Sequence, residues 1–244
     1  ISNSYFGEID HFEINKIAVG DRGNKHAVIF INGFLSQEKS DATDWTSNLE
    51  GNFNKSFWYH LDWEAKNLRK LGLFAVNTPK VAGFEFAKQL AKRAAKKAPN
   101  AINPLLMVSH LSDIFANPWH TTMVKASMVG ILLADAIART EGWTFTLVGH
   151  SLGARVIYYA LEALSTKSEK PVVRNAFLLG GAVGGGEKDY NGWVKATESI
   201  SGKIYNCYSE SDDVLKYMYK CASGGISIPI GYAPIFGNHP KIFD

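Results

Sequence analysis

The stretch Thr144–Gly153, TFTLVGHSLG, sets the fold class of this chain. Four of the five residues from Thr144 to Val148 are β-branched or aromatic, which predicts a strand. The run breaks at Gly149-His150-Ser151-Leu152-Gly153, and the following ARVIYYALEAL has the pattern of a helix. Strand, G-x-S-x-G, helix is the context of a nucleophile elbow. Such a turn is sharp and strained, and it lifts the serine hydroxyl above the carboxyl edge of a sheet. The residues two before and two after the serine crowd each other, so both must be small, as Gly149 and Gly153 are. The turn also aims a helix N-terminus, with its free N–H groups, at the reacting atom. An ordinary strand-to-helix turn is the plain alternative, and the flanking pattern weighs against it.

Outward from this motif, strands alternate with helices. His26–Ile31 reads as a buried strand, broken by Asn32-Gly33-Phe34-Leu35. A short helix begins at Asp44-Trp45-Thr46, and Phe57–Leu61 is a second strand leading into Asp62-Trp63-Glu64. Pro79 opens a helix that ends near Pro99, with Phe84, Ala87, Ala91, Ala94 and Ala98 on one face by three- and four-residue steps. Residues 102–118 are apolar but interrupted, and a helix from Trp119 to about Arg139 leads into the strand before Ser151. Val172–Leu179 and Lys203–Tyr208 are further strands, the second followed by a helix over Val214–Lys220. The polar start and the Gly- and Pro-rich tail show no periodic pattern. The alternation predicts an α/β fold, a mostly parallel sheet with helices on both faces. Ligands then bind beyond the carboxyl ends of the strands.

At 244 residues the chain fits one α/β domain over 1–244, with a sizeable core. A formal charge of +3 is small, and no nucleic-acid-reading motif accompanies it. The chain begins at Ile1 rather than methionine, so it is expected to be a processed product or a piece of something longer. The start lacks the basic and apolar regions of a signal peptide. Ala126–Ala134, ASMVGILLA, is bounded by Lys125 and Asp135 and is too short for a membrane span. It reads as a helix buried between other elements. Cys207 and Cys221 are read as two buried free thiols, with one bridge as the alternative. That leans toward a reducing compartment, and a cytoplasmic or peripheral membrane location is expected, with secretion as the alternative. No metal or other cofactor is expected, because neither H-x-x-x-H nor C-x-x-C occurs. Gly180–Gly186 lacks the Lys-Ser/Thr ending of a phosphate loop and reads as backbone kept small beside the site.

An elbow serine needs a base and an acid to orient that base. In this fold the chain order is serine, acid, histidine. Asp212, in Tyr208–Leu215, is the candidate acid, followed by Asp213 and Glu210, although an aspartate here also suits a helix N-cap. His239 is the sole histidine after Asp212 and so the candidate base. The oxyanion donors are the backbone N–H of Leu152 and that of Phe34, with Gly33 permitting close approach. His150, His60 and Gly33 are expected to line the substrate site.

With these residues the chain resembles an α/β-hydrolase of the lipase and esterase type. More narrowly, it is similar to the poorly characterised hydrolase family that includes the transmembrane and coiled-coil domain-containing proteins. The likeness rests on Tyr59-His-Leu-Asp-Trp63-Glu64, on Gly149-His-Ser-Leu-Gly-Ala-Arg155-Val-Ile157, and on Tyr208–Leu215. The resemblance implies an α/β-hydrolase fold and a serine hydrolase acting on esters, lipids foremost, near a membrane. It departs in two respects. That family carries membrane helices outside the hydrolase domain, and it places its base in a Gly-His, whereas this chain has Asn238-His239.

The insert between Trp63 and the elbow strand far exceeds the dozen residues that a crossover needs. A helical cap within 65–142 is therefore expected, with Leu105, Leu106, Met107, Leu111, Ile114 and Phe115 lining an acyl pocket or serving as core. The Lys88–Lys97 face reads as a solvated surface, with contact to anionic lipid as the alternative. The partners expected are a lipid or small ester substrate and a peripheral membrane surface, not nucleic acid. A thioesterase or peptidase would use the same triad, and a non-catalytic binding module would keep the fold without it.

Overall fold

The computed structural model describes residues 9, 11–33, 45, 55–63, 104–167, 171–212, 215, 216, 219 and 227–244, with side chains in the long helix from His120 onward. The elements are β1 (Phe12–Ala18), β2 (His26–Ile31), β3 (Phe57–Trp63), α1 (Pro104–Ala138), β4 (Thr144–His150), α2 (Leu152–Leu164), β5 (Val173–Leu179), α3 (Tyr190–Glu198), β6 (Ile204–Cys207) and β7 (Ile242–Phe243). A short 3-10 turn, Glu187–Asp189, leads into α3. This is an α/β fold with a mostly parallel mixed sheet of seven strands, ordered β1-β3-β2-β4-β5-β6-β7. Among the described strands only β1 runs antiparallel, against β3. β2 and β4 lie at the centre, and β2 is buried along its whole length, as expected of a strand covered on both faces.

Each strand sends alternate residues to opposite faces. One face receives Ile29, Ile31, Leu61, Leu147 and Leu178, which pack with α1, α2, α3 and residues Leu215 and Tyr219 into the larger core cluster. The other face carries Val28, Phe30, Trp58 and Val148, with Trp45, Phe177 and Leu179 packed around them. The described helices therefore pack on the first face. The expected helix from Pro79 and most of the expected cap within 65–142 lie outside the described residues.

α1 and α2 run parallel, both descending from the carboxyl edge. Arg155 Nε donates to Met123 O (2.9 Å) near the start of α2, and Lys167 pairs with Asp135 (2.9 Å) just past its end.

The structure corrects four element readings. The polar start contains β1, whose FEINKIA sequence is half-buried to exposed. The featureless tail contains β7, parallel to β6. α1 begins at Pro104 and runs through Pro118, where the sequence alone marks a break. The apolar stretch on it extends over His120–Ala138 and is long and apolar enough to cross a membrane, with half of it buried inside the fold. Cys207 is free but exposed rather than buried, and Cys221 lies outside the described residues.

Candidate active site at the carboxyl edge of the sheet

β4 ends in a turn that no ordinary residue adopts freely. Ser151 has φ +54° and ψ −113°, and it alone among the described non-glycine residues has a positive φ. A conformation of this kind costs about 1–3 kcal/mol and persists where its surroundings enforce it. The enforcement is visible. Ser151 N donates to Leu179 O (2.9 Å), and Ser151 O accepts from Ala182 N (3.0 Å) and Ala154 N (3.2 Å). α2 then buries Leu152, Val156, Ile157, Leu161 and Leu164 completely. Each such side chain contributes about 1.5–3 kcal/mol, enough together to outweigh the strained turn.

The small residues have a direct steric cause. A Cβ on Gly149 would fall 2.6 Å from the Gly153 carbonyl carbon, and one on Gly153 would strike Ile31 O. Gly33, just after β2, brings its backbone against the same turn. A Cβ there would lie 2.7 Å from Leu152 N and 2.8 Å from Ser151 Cβ. The loop after β2 and the N-terminus of α2 thus meet at Ser151. Phe34, the expected second oxyanion donor, lies outside the described residues.

Asp212 follows β6 at this edge and is half-buried. Its Oδ1 accepts from Leu215 N (2.9 Å), so it caps the helical residues that follow. Its charge also acts on His150, drawing that ring's pKa upward against the larger lowering caused by burial. Part of the His150 surface still meets solvent, and its Nε2 faces Gly180. Asp213 lies outside the described residues, and Glu210 is exposed. His60 projects on the same face as Trp58. It is 8% exposed, its Nε2 meets no hydrogen-bond partner among the described residues, and burial holds its pKa below the ordinary histidine value, partly offset by Asp62.

His239 is not brought to Ser151. Its Nε2 lies 3.4 Å from Thr197 Oγ1, and its Nδ1 accepts from Lys241 N (3.2 Å). Lys241 Nζ in turn donates to Thr197 O and Ile200 O, at the end of α3. Ile200 bridges to Val173, the first residue of β5, whereas Ser151 N bonds to Leu179, the last. The two residues therefore sit at opposite ends of a strand about 20 Å long. β7 begins beside Ile204 and runs parallel to β6, so its direction is toward the edge that carries Ser151. No cluster of three or more His, Cys, Asp or Glu suited to a metal occurs among the described residues.

Asn32 opens the expected oxyanion loop, and the sequence assigns its side chain no role. Trp63 Nε1 donates to its main-chain oxygen (3.1 Å), and Trp45 Nε1 donates to Oδ1 (2.7 Å). Its place directly before Gly33 was the available signal.

The chain belongs to the family described as protein of unknown function (DUF726), whose model matches residues 2–242. Among its relatives, an uncharacterised membrane protein of Schizosaccharomyces pombe is 28% identical over 93% of this chain and 29% of its own length. A probable lipase of Saccharomyces cerevisiae is 31% identical over 72% of this chain and 16% of its own length. A transmembrane and coiled-coil domain-containing protein of Oryza sativa is 27% identical over 88% of this chain and 32% of its own length. The chain thus spans less than a third of the length of each of these three relatives.

Proposed function

We propose that this member of the DUF726 family is a serine hydrolase of the α/β-hydrolase fold that cleaves carboxylic esters, lipid acyl esters foremost. The observation that carries the proposal is the strained backbone of Ser151, set between the N-terminus of α2 and the Gly33 loop. A structural turn has no need of a side chain at positive φ, where glycine is unstrained. A nucleophile does need its hydroxyl there. The strand order, with the serine after a central strand and the aspartate after a later one, supports the same reading. So does the relative named as a probable lipase.

In this reading Ser151 Oγ attacks the ester carbonyl and a base takes its proton. The oxyanion forms against the N–H groups of Leu152 and the loop beginning at Gly33. The alcohol then leaves with that proton, and water releases the acid from the acyl-enzyme. Asp212 is the acid that orients the base. His239 would have to abandon Thr197 and Lys241 to serve as that base. The cap within 65–142 and peripheral contact with a membrane belong to the same proposal. Two observations support them: α1 extends past the start of α2, and relatives are named as membrane proteins.

The test is labelling by a fluorophosphonate probe. The folded protein is expected to label and Ser151→Ala to lose the label. A folded protein that takes up no Ser151-dependent label would sink the proposal. It would favour the non-catalytic binding module, the reading that the remote His239 supports.

A further inference from the structure

We propose that Asn32 is a positioning residue for the oxyanion loop, held in place by two tryptophan indoles. The inference rests on the ester-hydrolase reading and assigns a role within that site. Asn32 is the first residue beyond β2 and is 6% exposed. Both of its oxygens are engaged by indole N–H groups. Trp63 of β3, fully buried, donates to the main-chain oxygen at 3.1 Å. Trp45 donates to Oδ1 at 2.7 Å. An indole nitrogen donates and never accepts, so the side-chain amide has one permitted orientation, with Oδ1 toward Trp45 and Nδ2 away from it.

The donors are themselves fixed. The Trp45 ring stacks on Phe30 at 5.2 Å between centroids, with 26° between planes, and Phe30 meets the edge of Trp58 at 5.3 Å. The next residue along the chain is Gly33, whose backbone abuts Leu152 N and Ser151 Cβ. A Cβ on Gly153 would also come within 3.2 Å of Asn32 O, so α2 packs directly on the clamped peptide. The direction in which the chain leaves Asn32 therefore sets how closely Gly33 approaches the Leu152 N–H. Oxyanion donors act within a narrow range around the developing charge. A misplacement of about 1 Å costs on the order of a hundredfold in rate.

Trp45→Phe removes one donor and keeps an aromatic ring against Phe30. Asn32→Ala removes the side-chain acceptor. Both variants are compared with the wild type in three measurements: the second-order rate of fluorophosphonate labelling at Ser151, kcat and KM for a short-chain p-nitrophenyl ester, and the thermal midpoint. The expected result is a fall of about tenfold or more in labelling rate and kcat, with KM within about twofold, the signature of a contact that acts in the transition state. Trp45 is only half-buried, so its variant keeps the test open if Asn32→Ala fails to fold. A labelled wild type whose folded variants react at the same rate would overturn the Asn32 assignment alone. Equal losses in KM and stability without a change in kcat would also overturn it. A folded wild type that takes no label overturns the ester-hydrolase reading and this assignment together.

Discussion

Ser151 holds a backbone angle that glycine adopts without strain, and that difference can be measured. Ser151→Gly removes the hydroxyl and relieves a conformation worth about 1–3 kcal/mol, against which the greater entropy of glycine in the unfolded chain counts for about 0.5–1 kcal/mol. The expected result is loss of labelling with a rise in thermal midpoint of about 2–4 °C, the shift that ~1 kcal/mol produces in a chain of this size. A variant that is less stable than the parent would contradict this account of the turn. The elbow was legible in the sequence because its cause is local: two glycines, one serine and a change of period within ten residues. The Asn32 clamp was not legible in the same way. It depends on Trp63 reaching across from a neighbouring strand, a contact that no spacing along the chain encodes.

At the scale of elements, Arg155 fastens α2 to α1. Its Nε donates to Met123 O and to Ser127 Oγ (3.2 Å), and a terminal nitrogen donates to Tyr159 OH (3.2 Å). The guanidinium also lies over the Tyr159 ring, and its charge reaches the buried Tyr219 hydroxyl, opposing the rise that burial causes. Arg155 thus connects the elbow helix, the long helix and the segment that Asp212 caps, with no salt bridge to a carboxylate among the described residues. Hydrogen bonds to a charged group contribute about 1.5–3 kcal/mol. Arg155→Met is therefore expected to lower unfolding free energy in urea by about 2 kcal/mol, and Arg155→Lys, which lacks the planar fork, by a similar amount. Unchanged midpoints in both variants would refute this role. The elements that the sequence concealed share a physical reason. β1 is an edge strand with half-exposed residues, so its alternation is weak. β7 has two residues and exists only by pairing with β6. α1 keeps Pro118 at the cost of one helical hydrogen bond, a loss that its packing overrides.

For the molecule as a whole, stability should fall in acid. His26 is buried at the amino edge, its ring nitrogens within 2.8 Å of Thr144 Oγ1 and 3.1 Å of Thr146 Oγ1. Burial, reinforced by Arg174, holds its pKa below the usual value of 6.5. His60 is lowered by burial as well. For both, the folded pKa lies below the unfolded one, so the unfolded chain binds the proton first. Their stabilisation is complete above about pH 6.5 and is lost as pH falls from there through the lowered folded values. Each histidine adds a slope of at most about 1.4 kcal/mol per pH unit. Urea midpoints measured from pH 8 to pH 5 should decline over this window, and His60→Phe should flatten the decline. A profile that is flat for the parent would count against buried neutral histidines. Most of the parallel layering and the serine-bearing turn could be read from the chain. The edge to which a distant histidine goes could not, because the pairing of β7 decides it.

α1 is longer than the sheet it packs on is deep. Its 35 residues extend about 52 Å at the helical rise, while a seven-residue strand of the sheet reaches about 20 Å. Met123 is level with the first turn of α2, so the turns before it continue past the edge at which Ser151 sits. A molecule reaching the serine on the α2 flank travels beside these turns of α1. The route to the serine on that flank is therefore a walk along a helix rather than a step off a sheet.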